Sequence, residues 1–121
     1  MLTLPPSTRV FVTTSPTDMR RSFDGLMGIV RDFLDGDPLS GHLFVFHNRS
    51  GDRLKVLWWD RDGLAIYYKR LEEGRFSFPL PAGDSPQIEL TAADLQLVLQ
   101  GIDPSQVKRS KRYRRRPNPV A

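Results

Sequence analysis

Between Ser40 and Pro79, short apolar or aromatic runs alternate with turn residues: SGHLFVFHNRSGDRLKVLWWDRDGLAIYYKRLEEGRFSFP. A chain punctuated this way has few options beyond strands joined by tight connections. His42–Phe46 carries apolar residues at both parities, which predicts an inner strand buried on both faces. Asn48–Asp52 reads as a turn, and Arg53–Trp59 as the next strand. Asp60-Arg61-Asp62-Gly63 supplies a second turn, with Asp62-Gly63 as the hairpin signal. Leu64–Leu71 is a third strand, Glu72-Glu73-Gly74 turns the chain again, and Arg75–Phe78 alternates as a fourth.

The flanks supply helices. Arg9–Thr13 favours β structure and predicts an edge or lead-in strand. Phe23, Leu26, Met27, Val30, Phe33 and Leu34 fall on one face of a helix, with Thr17 or Asp18 as its N-cap and Gly36-Asp37-Pro38 as its stop. Gly25 and Gly28 weaken that helix, and close packing against a sheet would account for them. Pro79–Pro86 reads as a loop. Thr91-Ala92-Ala93-Asp94 resembles a capping box, opening a short helix through Leu95, Val98, Leu99 and Ile102. The expected fold is α+β: a four- to five-stranded antiparallel meander with one helix before it and one after. The expected organisation is a loose arm over 1–8, a single domain over 9–104 and a disordered basic tail over 105–121.

Charge is unevenly placed. The chain has 18 Lys and Arg and 14 Asp and Glu, and seven of the basic residues lie between 108 and 116. Every acidic residue precedes them, so residues 1–107 are net acidic. Attraction to polyanions is therefore assigned to the segment Lys108, Arg109, Lys111, Arg112, Tyr113, Arg114, Arg115 and Arg116, where Tyr113 can stack on a base. Arg49, Arg53 and Lys55 are further candidate nucleic-acid contacts. The absence of cysteine excludes disulfides and Cys-ligated zinc and fits a reducing cytoplasm. The N-terminus lacks the pattern of a secretory signal, and no apolar run is long enough for a membrane span, so no membrane partner is expected.

The paired aromatics Trp58-Trp59 and Tyr67-Tyr68 must point to opposite sides of a sheet. One set would pack under the first helix; the other would lie under the second helix, be buried in an oligomer, or form an exposed aromatic-basic surface. Asp52, Asp60 and Asp62 could suggest a metal-dependent nuclease, but acidic residues beside glycine are what hairpin turns use. His42 and His47 stand five apart, which places them on opposite strand faces and does not suit a shared metal. No nucleophile has an adjacent base, no glycine loop cradles phosphate, and no cofactor is expected.

Five segments in order carry a family resemblance: DMRRSFDGL at 18–26, SGHLFVFHNR at 40–49, LKVLWWDRDGL at 54–64, YKRLEEGRFSFP at 68–79 and LTAADLQLVLQGID at 90–103. The chain resembles the TnpB accessory proteins of bacterial insertion sequences of family 66, the IS66 Orf2-like group. The resemblance implies a role in transposition, beside a separate transposase that carries the chemistry, and it transfers no catalytic residue. The leading expectation is a non-enzymatic accessory protein binding DNA, the transposase, or both. A protein-interaction module without direct DNA binding, and a metal-dependent nuclease, are the alternatives.

Overall fold

Leu43–His47, apolar on both parities, is buried at every residue and forms the middle strand of the sheet. In the computed structural model, which describes residues 7–79 and 83–105, the elements follow as β1 (Val10–Thr13), α1 (Phe23–Asp32), β2 (Leu43–His47), β3 (Arg53–Asp60), β4 (Gly63–Arg70), β5 (Gln87–Leu90) and α2 (Ala92–Leu99). The strands make one five-stranded sheet in the order β4-β3-β2-β1-β5. β2, β3 and β4 form the antiparallel meander, with Val45 opposite Val56 and Val56 opposite Tyr67. The α+β class and the helix on either side of the meander are as the residue pattern implies.

The sheet is mixed, not wholly antiparallel, because β1 pairs with β2 in parallel, Phe11 opposite Phe44. A parallel neighbour needs a long crossover, and α1 supplies it. β1 is thus not an edge strand. Its other side is taken by β5, antiparallel, with Val12 opposite Ile88. Val10 and Val12 are completely buried as a result. β5 falls where no strand is predicted, although Gln87-Ile88-Glu89-Leu90 alternates in burial as a half-covered strand does.

Arg75–Phe78 is not a strand. Gly74 has φ +80°, which redirects the chain across the end of the sheet. There the Phe76 N–H donates to Gly51 O at 2.8 Å, and the Phe76 ring enters the core. The β3–β4 connection is the Asp60–Gly63 turn that the residues imply, although Asp62-Gly63 is not its central pair. Asp60 pairs with Gly63, so the loop is Arg61-Asp62, with Arg61 at φ 59°. The apolar register of Leu57 on Ile66 decides the pairing, and the Asp-Gly preference yields to it.

Each sheet face carries its own core. On one face α2 places Leu95, Val98 and Leu99 over Val10, Val12, Leu43, Val45, Leu54 and Val56. On the other, α1 places Leu26 and Val30, with Leu34 just past its end, over Phe44, Phe46 and Leu57. Strand alternation produces this division directly, as 43 and 45 face one way and 44 and 46 the other. It also settles the aromatics. Trp58 and Tyr67 pack with the α2 face beside Phe76 and Phe78. Trp59 is half-buried, and Tyr68, on the α1 face of the edge strand, is 49 % exposed.

α1 begins at Ser22, not at Thr17 or Asp18, and Ser22 makes no side-chain cap bond. Its buried stripe is Leu26, Val30 and Leu34; Phe23 and Phe33, at the two ends, are exposed. α2 is capped as its sequence implies: Thr91 Oγ1 accepts from the Asp94 N–H at 3.0 Å. Gly101, at φ 77°, closes it, with Ile102 N–H donating to Leu97 O and Gly101 N–H to Val98 O. The close-packing account of the α1 glycines fails at Gly28, since a Cβ there would meet nothing within 4 Å. Gly28→Ala is therefore expected to stabilise the fold by up to about 1 kcal/mol, read as a higher urea midpoint at unchanged m-value. An unchanged or lower midpoint would show that the glycine serves something other than the helix.

Candidate nucleic-acid interface

Two backbone segments meet at the end of the sheet where β2 turns into β3. One is the 48–53 turn, and the other is the 16–20 segment that leads into α1. Between them lies a cleft of about 570 Å³ lined by polar and charged groups, among them Asp18, Arg20, Asn48, Arg49, Ser50 and Arg53. Arg49 and Arg53 are exposed and form no ion pair among the described residues. Arg53 Nη1 lies 3.5 Å from Tyr68 Oη. Of the residues assigned from sequence, the structure thus brings Arg49 and Arg53 together on one cleft.

The turn is held firmly by its own side chains. Asn48 Nδ2 donates to Asp52 Oδ1 at 2.7 Å, Ser50 Oγ donates to the same oxygen at 3.2 Å, and the Arg53 N–H donates to Asn48 Oδ1 at 3.0 Å. The Asn48 amide is the main reason the Asp52 carboxyl sits below the usual carboxylate range. Asp52 is thus an organiser of the turn. It stands at the opposite end of β3 from Asp60, a separation on the order of 25 Å for eight strand residues. Asp52, Asp60 and Asp62 do not make one metal site, and no group of three or more metal-binding side chains occurs among the described residues.

The facing wall is braced from three directions. Thr17 N–H donates to His47 O at 2.7 Å. Asp18 accepts from the Arg20 N–H at 2.9 Å and from the Arg20 guanidinium at 2.7 Å. The guanidinium, then that backbone N–H, draw the Asp18 carboxyl down to about 2. Asp18 therefore stays ionised across neutral and mildly acidic pH, and Arg20 keeps its place on the cleft.

The third brace is Lys55, and here the structure departs from the sequence assignment. Lys55 is 7 % exposed. Its Nζ donates to Met19 O and to Arg21 O, both at 2.8 Å, and lies 4.7 Å from the Tyr68 ring centroid. Its ammonium is turned inward to hold the cleft wall and does not line the cleft. Conversely, Arg20 and Thr17 join the cleft although the residue pattern placed that segment at a helix cap. Their signal was the short Asp18-x-Arg20 spacing, which suits a local carboxylate–amide turn. The segment with Lys108, Arg109, Lys111, Arg112, Tyr113, Arg114, Arg115 and Arg116 lies outside the described residues.

The two histidines are structural. His42 Nδ1 accepts from the Arg9 N–H at 3.0 Å. His47, buried at the end of β2, bonds Thr13 O through Nε2 at 2.8 Å and packs on Phe78. No helix among the described residues is long and apolar enough to cross a membrane.

Comparison with known proteins gives three findings. The sequence model of a family described as "IS66 Orf2 like protein" matches residues 8–109. "Uncharacterized protein y4hO" of Sinorhizobium fredii (strain NBRC 101917 / NGR234) is 43% identical over 103 residues, 85% of this chain and 88% of the relative. "Uncharacterized protein y4jC" of the same strain is 38% identical over 101 residues, 84% of this chain and 85% of the relative. No solved structure gives a significant match.

Proposed function

The chain belongs to the IS66 Orf2-like family, which implies an accessory role in insertion-sequence transposition, and from that premise we propose that it is a non-enzymatic DNA-binding partner of the transposase. The observation that carries the reading is the cleft lined by the ion-pair-free Arg49 and Arg53, with Arg20 held to Asp18 beside them. Guanidinium groups on a concave, polar surface suit phosphate oxygens, because each presents several donors in a fixed plane. The basic residues at 108–116 add a larger, sequence-independent attraction. Contacts of both kinds position a protein on the backbone and do not read bases. The transposase of the same element is then met on shared DNA or by direct contact, and the bond-breaking chemistry stays with it.

Purified protein is expected to shift element-end duplex without transposase. In Arg49→Glu/Arg53→Glu the affinity is expected to fall about tenfold or more, with the log–log salt slope shallower by roughly two. Both side chains are exposed, so the variant should fold normally. Unchanged affinity would remove the cleft from the interface. Failure of the native protein to shift DNA at low salt would favour a purely protein-binding accessory. A pulldown with co-expressed transposase, with and without nuclease, then reports whether that contact is direct.

A further inference from the structure

β4 is an edge strand. It pairs with β3 along its whole length, Arg53 opposite Arg70 through Asp60 opposite Gly63, and no described strand pairs with its other side. Eight residues of open edge present a row of unpaired N–H and C=O groups, which commonly attract another strand. The residues on the α1 side of that edge read Leu64, Ile66, Tyr68, Arg70, and Asp62 stands in the hairpin loop just before them. The order runs from acid, through apolar and aromatic, to base. It reverses its charge about Ile66, so it complements its own antiparallel copy.

We propose that β4 pairs antiparallel with β4 of a second copy of this chain, about a two-fold axis through Ile66, giving a continuous ten-stranded sheet. An axis normal to the sheet keeps each side chain on its own face and makes the contact self-complementary. Ile66 then faces its own symmetry mate. Leu64 faces Tyr68 of the second copy, an apolar pair of the kind that stabilises sheets. Asp62, in the loop that leads into the strand, comes beside Arg70 of the second copy at each end. On the opposite face Ala65 meets Tyr67, and Gly63 meets Lys69, small residues against large.

Two features of the single chain fit this pairing. Arg53 and Arg70 are direct cross-strand neighbours of like charge, an arrangement that is unfavourable alone. Glu72, 3.0 Å from Arg70, offsets that repulsion within the chain, and a carboxylate arriving from a second copy would add to the offset. Asp60 and Asp62 form no ion pair among the described residues, so Asp62 is available to a second chain.

The test is sedimentation equilibrium of the full chain, freed of nucleic acid. The native protein is expected to show a reversible monomer–dimer equilibrium. Asp62→Arg and Arg70→Asp should each raise the dimer dissociation constant about tenfold or more, since each converts two attractive pairs into two repulsive ones. The double variant Asp62→Arg/Arg70→Asp should return to the native value. An equimolar mixture of the two single variants should associate more tightly than either alone, because every pair in the mixed dimer is again opposite in charge. Both positions are exposed, and the mixing result itself certifies that the variants are folded. A native protein that stays monomeric at all concentrations overturns the proposal. So do single variants that dimerise like the native protein, or a double variant as weak as the singles.

Discussion

Removal of residues 108–121 is expected to lower the affinity for duplex DNA by at least about 100-fold at low salt, and to flatten its salt dependence. The argument is one of counterion release. Seven Lys and Arg side chains between 108 and 116 outnumber the exposed guanidinium groups that the folded body brings to its cleft. If about five to seven phosphates are neutralised by the full chain, the log–log salt slope is roughly −4 to −6. Between 50 and 200 mM salt that corresponds to a loss of roughly 10²–10⁴ in affinity. The truncated protein keeps Arg20, Arg49 and Arg53, and its slope should be about −1 to −3. Gel-shift titrations at several salt concentrations, on element-end and unrelated duplexes, measure both quantities. Sequence preference should be small in the full chain. Equal affinity of full and truncated proteins would move the whole interface onto the folded body. A large preference for element ends would mean that the protein reads bases or DNA shape, which phosphate contacts alone do not do.

How far the residue pattern reaches differs between the sheet and the site. β2 was legible because an uninterrupted apolar run needs two covered faces, and it has them. The Thr91 cap was legible because its chemistry is local. The pairing of β1 was not. Whether Arg9–Thr13 lies at an edge depends on where Gln87–Leu90 goes, some 75 residues later, and four residues of alternation are a weak signal for that. Phe76 and Phe78 alternate like a strand, yet both pack against the same α2-face core, Phe76 buried and Phe78 partly so with its ring tilted against His47. At the site, Arg49 and Arg53 were legible as charged residues around a turn. Their facing wall was not, because the 16–20 segment meets that turn only through the fold. Lys55 was misplaced for a related reason. A lysine in an alternating strand is expected to face water, unless the chain brings carbonyl groups to it from elsewhere.

That exception yields the second large effect. Lys55→Met is expected to destabilise the fold by about 2–4 kcal/mol while leaving the salt slope of DNA binding unchanged. Met keeps the length and apolar stem of Lys, so the change isolates the ammonium. In the native protein Nζ satisfies Met19 O and Arg21 O and rests on the Tyr68 ring. Its loss leaves two partly buried carbonyls without their donor, each costing about 1–3 kcal/mol less whatever water recovers. It also removes the cation–π contact, about 0.5–2 kcal/mol. Urea denaturation reads the loss of stability, and faster amide exchange at residues 17–21 locates it in the cleft wall. A lysine that reached a phosphate would behave in the opposite way. Its removal would leave the unfolding free energy within about 0.5 kcal/mol of the native value, as surface substitutions do, and would reduce the salt slope by about one. Lys55→Arg separates charge from fit. Its planar fork cannot reproduce two bonds from a single nitrogen in a closed space, so it should recover only part of the stability.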